Sequence, residues 1–175
     1  MELPEIATSQ AGRLGRLYGH GDVVGVRQPL GPLTLVGGPE GLTGLRFPDR
    51  AAVPGERRPA AFAEATRQLA EYFAGSRTAF DLPLQLHGSE SEQRVWRELR
   101  NIAYGATVSY SALARAVGRP DEVREVAVTV GRTPLPIIVP CHRVVAVDGA
   151  LTGYGGGLER KRALLDLEAP QLSLV

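Results

Sequence analysis

Apolar and polar positions alternate in short bursts through the first half of the chain and recur every three or four residues through the second. The stretches VVGVRQPLGPLTLVGG (23–38) and GLTGLRFP (41–48) alternate between Gly and Pro punctuation, which predicts short antiparallel strands. AAFAEATRQLAEYFAG (60–75) sets Phe62, Ala65, Leu69, Tyr72 and Phe73 at helical spacing, with Gly75 as a stop. FDLPLQL (80–86) reads as one more strand, and the polar HGSESEQ (87–93) as a linker. Beyond it, Val95, Leu99 and Ile102 form one helical stripe with Trp96 beside it. SYSALARAVG predicts a helix capped by Ser109 and ended by Gly118. RPDEVREVAVTVG predicts the next, with Pro120 in its first turn, Asp121 and Glu122 near the positive end of its dipole, and Val123, Val126, Ala127 and Val130 facing inward. The two are either a helix-turn-helix or an ordinary helical hairpin. PIIVP (136–140) reads as a short extended run and GLERKRALLDLE (157–168) as a last helix. The sum is an α+β chain, divided into residues 1–87 and 88–175.

Composition narrows the classes. At 175 residues and 43% hydrophobic content, the chain can bury a real core. No apolar run is long enough for a membrane span. MELPEIATSQ lacks the basic start and apolar stretch of a secretory signal. One cysteine excludes an internal disulfide and a cysteine-based zinc site, and His20, His87 and His142 are too scattered to suggest another metal centre. A reducing cytoplasm is the expected home. The net charge of +1 does not advertise nucleic-acid binding. All the basic residues but Lys161 are arginine, which biased genome composition explains as readily as phosphate recognition does.

The lone cysteine lies in PIIVPCHRVV (136–145). Ile137 to Val139 should be buried, and Pro140 should end the strand, leaving Cys141 at its tip. Cys141 is then either a small buried hydrophobe or a nucleophile. A thiol titrates near 8.5, so attack at neutral pH needs a base or a positive environment. His142 is adjacent, but neighbours in sequence diverge in direction, so a bridging water is as natural as direct contact. Glu168 is one candidate to fix the tautomer of His142.

The blocks IAYGATVSYSALARAVG, PLPIIVPCHRV and GALTGYGGGLERKRALLDLE resemble the O6-alkylguanine-DNA alkyltransferases (methylated-DNA–protein-cysteine methyltransferases), closely from Val95 to Glu168 and more loosely before. The resemblance implies a ribonuclease H-like N-terminal domain and a winged-helix-like C-terminal domain whose helix-turn-helix binds the DNA minor groove. It implies flipping of the damaged guanine out of the stack and transfer of its O6-alkyl group, with O4-alkylthymine as a second candidate substrate, to Cys141. His142 would take the thiol proton through water, Glu168 would orient His142, and Tyr110 would protonate the leaving base. Arg124 would fill the gap left in the duplex. Val144, Tyr154 and Gly155 would form the guanine pocket with the backbone at Cys141. No cofactor or metal is implied, and each chain would act once, as a monomer or clustered on DNA.

The chain also departs from the family pattern. Where the family has Ala-Arg-Ala-Val-Gly, this chain has VREVAVTVG. Glu125 puts a negative charge beside Arg124 on a face meant for phosphates. Val128 adds bulk on the DNA-contacting side. Thr133, which the resemblance groups with Arg124, Tyr110 and Val128 among the DNA-contacting residues, replaces an asparagine and loses the amide's second arm, and IAYGAT stands where the family has IPYGET. Weakened DNA binding is expected, as in a specialised or engineered variant. Without the resemblance, Tyr110 and Tyr154 read as packing aromatics, and Arg124 and Glu168 as surface charges. A lesion-sensing module without transfer, a cysteine hydrolase using Cys141, His142 and Glu168, and an alkylation-responsive regulator are the other readings.

Overall fold

The computed structural model describes residues 21–49 and 55–169; the expectation about MELPEIATSQ lies outside them. Three strands, β1 (Gly21–Gln28), β2 (Gly31–Gly38) and β3 (Gly41–Arg46), form an antiparallel meander. Two-residue connections join them: Pro29-Leu30 between Gln28 and Gly31, and Pro39-Glu40 between Gly38 and Gly41. Gly41 is at φ 138, and a Cβ there would stand 2.4 Å from the Pro83 carbonyl oxygen, so glycine is required. A short β4 (Gly55–Arg57) pairs in parallel with β1, giving the order β3-β2-β1-β4. The sheet is therefore mixed, where alternation alone predicts only antiparallel strands.

A 3-10 turn (Pro59–Phe62) leads into α1 (Ala63–Phe73), which lays Ala65, Leu69 and Tyr72 on the core with Leu33, Leu35 and Leu45 of the sheet. Phe80–Leu86 is not a strand. Pro83 has no donor to give a ladder, and the segment's backbone hydrogen bonds to β3 are Leu42 N–H to Pro83 O (2.9 Å) and Gln85 N–H to Leu42 O (2.8 Å).

The C-terminal part holds α2 (Glu90–Leu99), α3 (Tyr110–Ala116), α4 (Val123–Gly131) and α5 (Leu158–Glu168). HGSESEQ supplies a capping box: Ser89 Oγ accepts from Glu92 N–H, and Glu92 Oε2 accepts from Ser89 N–H at 2.9 Å. The Ser109 side chain caps α3 by accepting from Ala112 N–H, and Gly118, at φ 75, turns the chain toward α4. Pro120 and Asp121 form a turn ahead of α4, which begins at Val123. Of the expected inward stripe, Val126 and Val130 are buried, Val123 and Ala127 half-buried, and Thr129 joins the buried face. Trp96 packs here and donates Nε1–H to Thr129 O at 3.1 Å. A two-residue parallel ladder pairs β5 (Val108–Ser109) with β6 (Val144–Val145); strands this short carry no periodic signal.

The run before Cys141 is not extended. Leu135 O accepts from Val139 N–H at 2.8 Å, closing a turn in which Ile137 takes φ 77. That conformation is costly for a β-branched residue. It persists because Ile137 is buried and because β3 grips the turn from outside, Leu45 N–H donating to Pro134 O at 2.9 Å. Cys141 then opens a 3-10 turn (Cys141–Arg143) instead of tipping a strand.

Replacing Ser89 with Ala should cost about 1 kcal/mol of stability, read as a lowered urea midpoint with unchanged slope.

Candidate functional site

Cys141 is buried, 5% exposed, in the 3-10 turn, with Tyr110 at the start of α3, Tyr154 in the loop that precedes α5 and Lys161 on α5 close enough to interact with its charge. Burial pushes the thiol up to about 11, although the nearby Thr133 side chain and the Lys161 ammonium pull the other way. His142, fully buried, presents Nε2 to Glu168 Oε1 at 2.8 Å. Its Nδ1 is enclosed and has no hydrogen-bond partner among the described residues. Burial lowers the proton affinity of His142, opposed by the Glu168 carboxylate and reinforced by Arg143 and Lys161. The imidazole is neutral at pH 7, with Nε2–H directed at Glu168 and Nδ1 left as the acceptor.

Glu168 ends α5 wholly inside the protein. Oε1 accepts from the Tyr72 hydroxyl at 2.6 Å and from Arg143 Nη2 at 2.8 Å, besides His142; Oε2 accepts from Arg143 Nε at 2.8 Å. Burial alone would raise its carboxyl, but the hydrogen bonds from His142, Arg143 and Tyr72 more than offset that and hold it well below the usual carboxylate range. The guanidinium of Arg143 also donates to Ile102 O at 2.6 Å and lies 5.7 Å over the Tyr104 ring.

Tyr110, the first residue of α3, donates its hydroxyl to Thr152 O at 3.2 Å. Burial raises its phenol, and the Cys141 thiolate adds to this. Lys161 is fully buried. Its ammonium donates to Val144 O (2.6 Å) and Thr152 O (2.9 Å) and lies 5.7 Å from the Tyr110 ring centroid. Val144 is buried in β6, and Gly155 is half-buried in the loop before α5. Tyr154 packs edge-on against Phe47 of the N-terminal part, ring centroids 6.0 Å apart, with its hydroxyl enclosed and unpartnered among the described residues. Gly156 is a further required glycine, since a Cβ there would stand 2.4 Å from the Phe47 ring. Arg160 holds this loop to the N-terminal part, donating to Leu30 O (3.2 Å), Asp49 (2.8 Å) and Gly156 O (2.8 Å).

The structure thus gathers one site: Glu168 meets His142, Tyr110 and Tyr154 lie near the thiol of Cys141, Lys161 joins Val144 to Thr152, and Gly155 follows Tyr154 in the loop before α5. Arg124 and Val128 lie apart from it, exposed on α4, with Glu125 between them. Thr133 belongs with the thiol. It is buried, its Oγ1 donates to Val130 O at 2.7 Å, and the exposed face of α4 does not include it, contrary to its grouping with DNA contacts. Sequence reasoning gave no role to Lys161, Arg143 or Tyr72. One signal pointed to Lys161: it is the sole lysine and lies on the same α5 stripe as Leu164 and Glu168. Among the described residues no group of His, Cys, Asp and Glu could hold a metal ion.

Comparison with known proteins agrees with this arrangement of a sheet domain followed by a helical unit. Residues 26–86 match the 6-O-methylguanine DNA methyltransferase ribonuclease-like domain, and residues 90–170 match the DNA binding domain of the same name. A methylated-DNA–protein-cysteine methyltransferase of Mycolicibacterium paratuberculosis is 49% identical over 147 residues, 82% of this chain and 89% of that one. The constitutive enzyme of that name from Bacillus subtilis is 50% identical over 107 residues, 61% of this chain and 65% of the other. The crystal structure of Mycobacterium tuberculosis OGT in complex with DNA superposes with a TM-score of 0.81 at 46% identity, covering 86% of this chain and 96% of that one. The chain belongs to the methylated-DNA–protein-cysteine methyltransferase family.

Stability should peak between about pH 7 and pH 9. Below about 6.5 an unfolded chain takes up protons that buried His142 refuses, and below about 4 the contribution of Glu168 is lost as well. Above pH 9 the unfolded chain sheds a thiol proton that folded Cys141 keeps up to about 11, so stability falls again. Denaturant midpoints across pH test this, and Cys141→Ser should remove the fall that begins near pH 9. Glu168→Gln leaves the Arg143 guanidinium uncompensated and should cost about 3 kcal/mol or more at pH 7.

Proposed function

We propose that this protein repairs alkylated DNA by direct reversal, moving the alkyl group of O6-alkylguanine onto Cys141 in a single turnover. The observation that carries this is a buried thiol, followed in the chain by a neutral imidazole whose Nε2 is held by a buried carboxylate. Family membership supplies the substrate class.

The chemistry runs on the groups already placed. His142 Nδ1 takes the thiol proton through a bridging water, and the imidazolium that forms faces Glu168. The Lys161 ammonium steadies the thiolate, which offsets part of its burial. The thiolate attacks the alkyl carbon as the bond to O6 breaks, and the electron pair passes into the guanine. Tyr110 gives that base a proton. The guanine lies between the backbone of Cys141 and Val144 and the ring of Tyr154, with Gly155 letting the chain approach its plane. A thioether is a poor leaving group, so Cys141 is consumed. None of these steps needs a metal or cofactor.

DNA meets the exposed side of α3 and α4 through the minor groove. Arg124 enters the stack where the damaged base has left it, its planar guanidinium suited to stacking. Glu125 and Val128 weaken that contact. Residues 1–87 act as brace and 88–175 as the DNA-binding and transfer unit, a division supported by family matches that end at 86 and resume at 90. Among the described residues no helix could cross a membrane, and a thiol that must stay reduced suits the cytoplasm.

Intact-mass measurement after incubation with duplex DNA carrying O6-methylguanine should show one added methyl per chain, on Cys141, and none on Cys141→Ala. Product accumulating beyond one equivalent would point instead to a cysteine hydrolase. Glu125→Ala should tighten DNA binding about threefold or more at low salt, in a titration followed by anisotropy. Unchanged or weaker binding counts against the DNA face described here.

A further inference from the structure

Tyr72 lies on α1, in the N-terminal part of the chain, outside the residues 90–170 that match the DNA binding domain. Its ring is fully buried among Phe73, Phe80 and Tyr104, with centroids 5.3, 5.3 and 6.1 Å away. A phenylalanine would fill that space equally well. The hydroxyl is what differs, and it reaches across to Glu168 Oε1 at 2.6 Å, the same oxygen that His142 Nε2 meets at 2.8 Å.

We propose that Tyr72 is a positioning residue of the alkyl-transfer relay: its hydroxyl shares Glu168 Oε1 with His142 and so keeps His142 a neutral base. The inference rests on the reading of Cys141 as alkyl acceptor and His142 as its base. A carboxylate oxygen that accepts from a phenol has less charge left for a second donor. Glu168 needs to be charged enough to fix the imidazole's tautomer. It must not draw so strongly that His142 is protonated before the thiol gives up its proton. Tyr72 weakens the pull on His142 without leaving the carboxylate unpartnered. The other titratable groups around this pair are Arg143 in the 3-10 turn, Lys161 on α5, Cys141, Tyr104 in the loop after α2 and Tyr154 in the pocket loop. Arg143 and Lys161 oppose a proton on His142 through space; Arg143 Nη2 also donates to Oε1 at 2.8 Å but as a cation, and Tyr72 is the neutral donor on that oxygen. Through Tyr72 the first domain acts on proton transfer in the second.

The test is the pH dependence of alkyl transfer to Cys141 from the free base O6-benzylguanine, which removes DNA binding from the measurement. Titration of His142 by NMR runs in parallel, in a chain with three histidines. In Tyr72→Phe the acid limb of the rate profile and the His142 midpoint should both move to higher pH by about half a unit or more. Site-specific replacement of Tyr72 by 3-fluorotyrosine, a more acidic donor of nearly the same size, should move both to lower pH, and it decides the matter alone if Tyr72→Phe does not fold. Profiles that superimpose on the wild type overturn the inference while the wild type still takes up benzyl at Cys141. A wild type that takes up none sinks the acceptor reading and this inference with it.

Discussion

A carboxylate taken out of water is unfavourable by several kcal/mol unless every lone pair is met. Glu168 is buried to 2% exposure and survives because a guanidinium, an imidazole and a phenol all converge on it. The donors come from two places far apart in sequence, Tyr72 on α1 and His142 with Arg143 in the 3-10 turn, and the carboxylate that joins them comes from a third, the end of α5. One interaction thus fixes how the sheet domain, the thiol-bearing turn and the last helix sit together. The same interaction sets the tautomer of the imidazole beside Cys141. Stability and reactivity rest on one cluster, so a change that loosens the first also disorders the second.

The turn that carries Cys141 depends on this clamp. Ile137 is held in a backbone conformation that β-branched residues avoid, and nothing within PIIVP favours it. The restraint is external: β3 through Leu45, the packed side chain of Ile137 itself, and the 3-10 turn anchored by Arg143. The N-terminal sheet therefore works as a brace against the reactive loop. Phe47 under Tyr154 and Arg160 across Leu30 and Asp49 do the same for the pocket loop.

Much of this was legible from residues alone, for identifiable reasons. The helices of the second half announced themselves by spacing and by caps at Ser109 and Gly118. The PCHRVV block singled out Cys141 and His142, and Glu168 stood as one candidate behind His142 until the family resemblance selected it. What could not be read was set by contacts distant in sequence. PIIVP has the composition of a strand but is bent by its neighbours. FDLPLQL alternates like a strand but has a proline where a ladder needs a donor. The inner face of α5 carries Lys161 and Glu168, so its buried stripe looks like a surface one to any rule that equates inside with apolar. Tyr72 sits in a helical stripe where an aromatic reads as core. Only the tertiary structure shows that its hydroxyl leaves the core and ends on a carboxylate 96 positions away.

Lys161 has a consequence that extends beyond the site. It is the single lysine in 175 residues, and none of it reaches solvent. Reagents that couple to side-chain amines, and modifying enzymes that need an accessible lysine, find none displayed on this fold; arginines carry the positive surface instead. Acylation of Lys161 would thus report that the core beside the thiol had opened, which makes an ordinary amine label a gauge of local unfolding in this molecule.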